Sequence, residues 1–175
     1  MKLDKGRVGT LFGELGGGGG GAEALGELYD LCARTIYGYA FAHLRNREDS
    51  EDVVQEVFVK LMKTRSALKE VRNPAAYLLC MTHRAMIDMK RKSSGNELQV
   101  EIVDAREEKH LTVAEKTALN QALCSLPPEQ RAAVYLKEVE GLSLREIAAV
   151  TGTNIFTAAS RCRLGLGRLK KLLEV

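Results

Sequence analysis

Val53, Val54, Val57, Phe58, Leu61 and Met62 recur at i, i+1, i+4, i+5, i+8 and i+9. Only a helix gathers that spacing on one face; a strand of period two would scatter the six over both. Helical periodicity of this kind runs from Ala22 to about Lys92 and resumes from Thr112 to the end. With three prolines and few β-branched clusters, the chain is expected to be all-α. Its 175 residues, 45% of them apolar, suffice for one ordinary domain or two small ones with modest cores.

Breaks in the pattern divide the chain. Residues 1–21 are a short amphiphilic lead ending in six glycines, Gly16 to Gly21, expected to be flexible. No strand precedes that run and no Gly-Lys-Ser/Thr follows it, so it is not a phosphate loop. Residues 22–92 form a first helical body. Its helices run from Ala22 to Leu44, from about Asp49 or Ser50 past Met62, and from Pro74 to Lys92, the last capped by Asn73. The loop Thr64 to Arg72 lies between the second and third. Residues 93–111 carry Glu97, Glu101, Asp104, Glu107 and Glu108 against Arg106 and Lys109 without a sustained period, as an acidic flexible linker would. Residues 112–175 form a second helical body.

The formal charge of +3, from 26 basic and 23 acidic residues, is too small to imply a nucleic-acid partner by itself, so placement decides. In the second body, Ser143 caps a short helix from Leu144 to Val150, with Glu146 at capping-box spacing. Gly152 suits a turn needing positive φ, and a basic helix from about Ile155 to Leu173 follows. Short helix, glycine turn and basic helix are the layout of a helix-turn-helix. The candidate contacts to a major groove are Asn154, Phe156, Thr157, Ala159, Ser160, Arg161 and Arg163. In the first body, Asp49, Asp52, Gln55, Glu56 and Val59 lie opposite the apolar stripe and suit a basic protein partner. Acids at a helix N-terminus also simply favour the macrodipole. Arg84, Lys90, Arg91 and Lys92 make the third helix basic, so each body carries a basic zone for one duplex.

Cys32, Cys80, Cys124 and Cys162 stand far apart with no CxxC, against a zinc site or disulfide scaffold and for reduced thiols. His43, His83 and His110 show no nucleophile or metal context. No cofactor is expected, and an enzyme is the least favoured class. No secretory signal and no run of membrane-spanning length is present, which points to a cytoplasmic protein without membrane insertion. A helical adaptor that binds protein only, or a repressor using the same C-terminal motif, fits the residues as well.

The segments Leu25 to Asp30 (LGELYD), Arg47 to Phe58 (REDSEDVVQEVF) and Leu126 to Arg131 (LPPEQR), with the stretch Glu140 to Arg161, resemble the extracytoplasmic-function (ECF) class of bacterial RNA polymerase sigma factors. The likeness covers roughly Ala22 to Leu173. It implies a transcription initiation factor that binds core RNA polymerase and takes it to promoters. Residues 22–92 would be sigma region 2 and residues 112–175 sigma region 4. Asp49, Asp52, Gln55, Glu56 and Val59 would dock on the clamp helices of the largest subunit. Arg65, Lys69 and Arg72 of the loop, which captures a flipped base, and Arg84, Arg91 and Lys92 would hold the melted minus-ten element. The helix-turn-helix residues would read the minus-thirty-five element, and an anti-sigma factor is a partner consistent with the class. Three features depart from the family: the chain has no tryptophan, with Tyr77 where many members carry one; Thr151 and Thr153 flank the turn; and Ala158 replaces a usual valine.

Overall fold

The computed structural model describes residues 3–18, 21–92 and 113–173. The acidic segment 93–111 and Gly19 and Gly20 of the glycine run lie outside them. Every regular element among the described residues is helical: α1 (Lys5–Gly16), α2 (Gly21–Leu44), α3 (Arg47–Lys63), α4 (Pro74–Lys92), α5 (Val113–Cys124), α6 (Pro128–Val134), α7 (Leu144–Thr151) and α8 (Ile155–Leu173). A 3-10 turn, Arg65–Glu70, joins α3 to α4, and a π turn, Tyr135–Val139, extends α6.

The N-terminal lead departs from expectation. Instead of a flexible segment, it forms α1, whose Val8, Leu11, Phe12 and Leu15 are buried at i, i+3, i+4 and i+7. Asp4 caps it, accepting from the Arg7 N–H at 3.0 Å, and an ion pair between Arg7 and Glu27 ties it to α2. Gly6, Gly9 and Gly13 disfavour a helix by about 1 kcal/mol each. Burying four large apolar side chains is worth about 1.5–3 kcal/mol apiece, so packing prevails.

The helices of the first body follow the sequence pattern closely. Arg45, at φ 54, turns the chain out of α2. Asn46 then caps α3 by accepting from the Asp49 N–H at 3.0 Å, so the helix begins at Arg47, two or three residues before the expected start. Val53, Val54, Val57, Phe58 and Leu61 are buried, and α3 packs on α2 and α4. Asn73 caps α4 as expected, accepting from the Ala76 N–H at 3.1 Å.

In the second body, Ser143 and Glu146 form a full capping box, and Gly152 adopts φ 66 at the end of α7. Thr151 and Thr153, at turn-flanking positions, hydrogen-bond each other at 3.1 Å, and Thr151 also donates to the Ile147 carbonyl at 2.8 Å. The hydroxyls are thereby satisfied within the turn itself. Gly165 lets α8 close on α6: a Cβ there would stand 2.6 Å from Val134 Cγ2.

The two bodies lie against each other and share one apolar core, a relation on which the sequence is silent. α7 packs on α4, and α5 and α6 reach α2. Tyr39, fully buried, meets Tyr135 at 5.3 Å between ring centroids and hydrogen-bonds His83 Nδ1 at 2.9 Å. Arg131 donates to the carbonyls of Leu123, Cys124 and Leu126 in its own body and of Ala42 in the other, at 2.6–3.2 Å. Glu146 does double duty: besides capping α7, its Oε1 accepts from Asn73 Nδ2 at 2.8 Å and pairs with Lys5 Nζ at 3.3 Å.

Two tests follow from this packing. Gly165→Ala gains helix propensity but forces the stiff, buried Val134 aside, so a net loss of about 1–2 kcal/mol is expected in denaturant unfolding. Gly167→Ala, where a Cβ meets nothing within 4 Å, should instead gain about 0.5–1 kcal/mol. For Glu146, partial burial alone would raise the carboxyl. Hydrogen bonds from the Ser143 backbone, Asn73, the Ser143 hydroxyl and Lys5 outweigh it and hold the pKa down to about 2. A depressed folded pKa contributes stability above the ordinary value, and this is lost as pH falls through about 4.5 toward 2. Between those pH values, thermal melting of the native chain should therefore fall more steeply than that of Glu146→Gln.

Candidate nucleic-acid and protein interfaces

α3 divides its residues sharply. Its apolar stripe is spent on the core, and Asp52, Gln55 and Val59 are exposed on the opposite side, with Asp49 and Glu56 half-buried beside them. Glu56 is engaged within the helix by Lys60, at 2.6 Å, and Glu51 by Arg47 at 3.5 Å. Asp52 has no such i, i+4 partner and is left as the outward-facing acid of the stripe. A groove of about 390 Å³ beside it is lined by Tyr29, Ala33, Arg34, Tyr37, Glu51, Val54 and Gln55. Tyr29, its ring tilted against Phe58 with centroids 4.9 Å apart, is half-exposed there.

The segment expected as a loop is the 3-10 turn, held by the buried Leu68, with Arg65, Lys69 and Arg72 exposed around it. Arg84, Arg91 and Lys92 are exposed along α4, Arg91 lying 3.8 Å from Asp88. With Lys90, also exposed, these cationic side chains face solvent from the turn to the end of α4. The same helix presents Tyr77 inward, edge-on to Phe12 of α1 at 6.2 Å. Tyr77 thus packs against the N-terminal helix.

At the start of α8 the candidate residues serve different ends. Asn154 caps the helix, accepting from the Thr157 N–H at 2.8 Å, so its side-chain oxygen is already committed. Phe156 is 83% exposed, a large aromatic with almost no cover. Phe156, Ser160 and Arg163 follow at i, i+4 and i+7 on one face. Thr157, Ala159, Ser160 and Arg161 are half-buried, and Arg163 is exposed. Ala158 is fully buried, its small side chain placed where α7 and α8 meet. Burial lowers the His83 pKa, and the charge of Arg161 lowers it further.

Three features escaped the sequence pattern: α1 beneath the turn, Arg131 bridging the bodies, and the contacts of Glu146 with Asn73 and Lys5. Only the capping-box spacing hinted at the last. The four cysteines are free, Cys32 and Cys162 buried. Burial pushes the Cys32 thiol up to about 12 and raises that of Cys162, so neither is a ready nucleophile. No helix among the described residues is long and apolar enough to cross a membrane.

Comparison with known proteins places this geometry. Residues 28–95 match the family described as Sigma-70 region 2, and residues 116–169 match Sigma-70, region 4. The chain is 31% identical over 147 residues to RNA polymerase sigma factor SigV of Bacillus subtilis, covering 80% of this chain and 82% of that one. It is 28% identical over 162 residues to ECF RNA polymerase sigma factor SigK of Mycobacterium tuberculosis, covering 87% of each. The fold is similar to that of the sigma factor RpoE from Bartonella quintana, solved with the anti-sigma factor NepR. There the TM-score is 0.73 at 23% identity, over 85% of this chain and 96% of that one. The protein belongs to the ECF class of RNA polymerase sigma factors, transcription initiation factors that bind core polymerase and direct it to promoters.

Proposed function

We propose that the three exposed surfaces divide the work of a sigma factor as follows. The outer face of α3, with Asp49, Asp52, Gln55, Glu56 and Val59, docks on the clamp helices of the polymerase's largest subunit. Arg65, Lys69 and Arg72, with Arg84, Arg91 and Lys92, hold the melted minus-ten strand through its phosphates. The start of α8 reads the minus-thirty-five element: Thr157, Ser160, Arg161 and Arg163 supply polar contacts, and Phe156 and Ala159 offer apolar ones to thymine methyls. Asn154 supports them by fixing the helix start. Residues 22–92 and 112–175 are the corresponding functional units, joined by 93–111. The chain acts by binding, without catalysis or a cofactor, in the cytoplasm. An anti-sigma factor is a further partner of this kind of chain; one accompanies the Bartonella protein.

The observation that carries this reading is Phe156, exposed on the helix after a left-handed Gly152 turn. A monomeric core gains nothing from such a residue, and a major-groove surface does. Separation follows from scale. The two promoter elements lie about 25 base pairs apart, roughly 85 Å at 3.4 Å per pair, whereas α7 here packs directly on α4. Both elements can be engaged at once only when the two bodies part.

Arg161→Ala should weaken binding to a duplex carrying the upstream element by about 1–3 kcal/mol if the guanidinium contacts a base edge. An unchanged footprint would remove that role. Asp52→Lys together with Glu56→Lys should abolish co-purification with core polymerase while leaving the helical content intact; normal recovery of the complex would refute docking through α3.

A further inference from the structure

The structure assigns to α1 a part in promoter recognition: it positions the turn Arg65–Glu70, and Gly16 is the residue that sets where the turn sits. This inference rests on the reading of that turn as the minus-ten contact. A six-residue 3-10 segment is a weak structure by itself, and this one has no side-chain cap and buries only Leu68. What holds it is the apolar face of α1, which packs against the turn, α2 and α4. Val8, Leu11, Phe12 and Leu15 are all but inaccessible, and Phe12 meets Tyr77 of α4.

Contact between α1 and the turn is tightest at the end of the helix. A Cβ on Gly16 would lie 2.8 Å from the Lys69 backbone nitrogen, 3.0 Å from Lys69 Cβ and 3.3 Å from the Arg65 carbonyl oxygen. Two of these atoms are backbone and cannot swing aside, so any side chain at Gly16 must move the turn itself. The two residues it would displace are the cations offered to DNA. Arg65 also reaches back over the start of α2, its Nη1 3.8 Å from where a Cβ on Gly21 would be. That distance is ordinary contact, so of the two glycines only Gly16 is needed for the turn to lie close. Gly9 and Gly13 of the same helix have open space around their Cβ positions, so the requirement is local to Gly16.

The test uses the full chain with core polymerase, measuring promoter opening on fragments with each base substitution in the minus-ten element. Gly16→Ala should reduce discrimination between the preferred and substituted bases by about five- to tenfold, the scale of one base contact. Core binding and affinity for the upstream element should stay unchanged. Gly9→Ala is the matched control and should behave as the native chain. Should Gly16→Ala fail to fold by circular dichroism, Phe12→Leu, which loosens α1 while keeping it apolar, is expected to lower discrimination in the same way. Lys69→Ala separates the two levels of the argument. If it leaves minus-ten discrimination intact, the reading of the turn is wrong. If it alters discrimination while the folded Gly16 or Phe12 variant matches Gly9→Ala, the positioning role of α1 is overturned.

Discussion

The guanidinium of Arg131 sits where the two helical bodies meet, and its four hydrogen bonds all end on backbone carbonyls. A charge this deeply placed costs several kcal/mol unless its donors are satisfied. Here the end of α5 supplies what is needed, because the last carbonyls of a helix have no partner within it and carry the negative end of its dipole. The planar fork reaches Leu123, Cys124 and Leu126 at once, which a lysine could not do. One further donor crosses to Ala42 at the end of α2. The end of α5, the proline turn before α6 and the first body are thereby fixed to a common point. Burial lowers the Arg131 pKa, and the charge of Arg45 lowers it further.

Around that point each helix spends one face on packing and leaves the other for a partner. α3 gives valines and Phe58 to the core and Asp52 to solvent. α4 gives Leu78, Leu79 and Ala85 inward and Arg84, Arg91 and Lys92 outward. α8 buries Ala158, Cys162 and Leu169 and presents Phe156 and Arg163. Exposed charge differs by element: acids crowd the first half of α3, whereas the turn and the outer face of α4 carry mainly cations. The small net charge conceals this arrangement.

Much of this was legible in the sequence because local rules governed it. The α3 stripe, the Asn73 cap, the Ser143–Glu146 box and the positive φ of Gly152 each depend on residues within a turn of one another. What escaped depended on distance. α1 looked flexible because its glycines and the run after it argue locally against order; four apolar residues decide otherwise once α2, α4 and the turn are there to receive them. Arg131 appeared only as the last residue of the LPPEQR segment, and no periodicity reveals that four carbonyls would converge on it. The spacing also did not reveal that Asn154, a candidate DNA contact, caps α8 through its side-chain oxygen.

The packing of α7 against α4 bears on how tightly such a chain can hold a promoter. A molecule whose competent arrangement is only fractionally occupied binds with its intrinsic affinity scaled by that fraction. Tyr39, Tyr135 and the Glu146 carboxylate shared by Asn73 and Lys5 join the two bodies, and if both promoter elements are engaged only with the bodies apart, as proposed above, these contacts set the occupied fraction. Substitutions at these positions would tune promoter occupancy across all sequences alike, leaving base preference untouched.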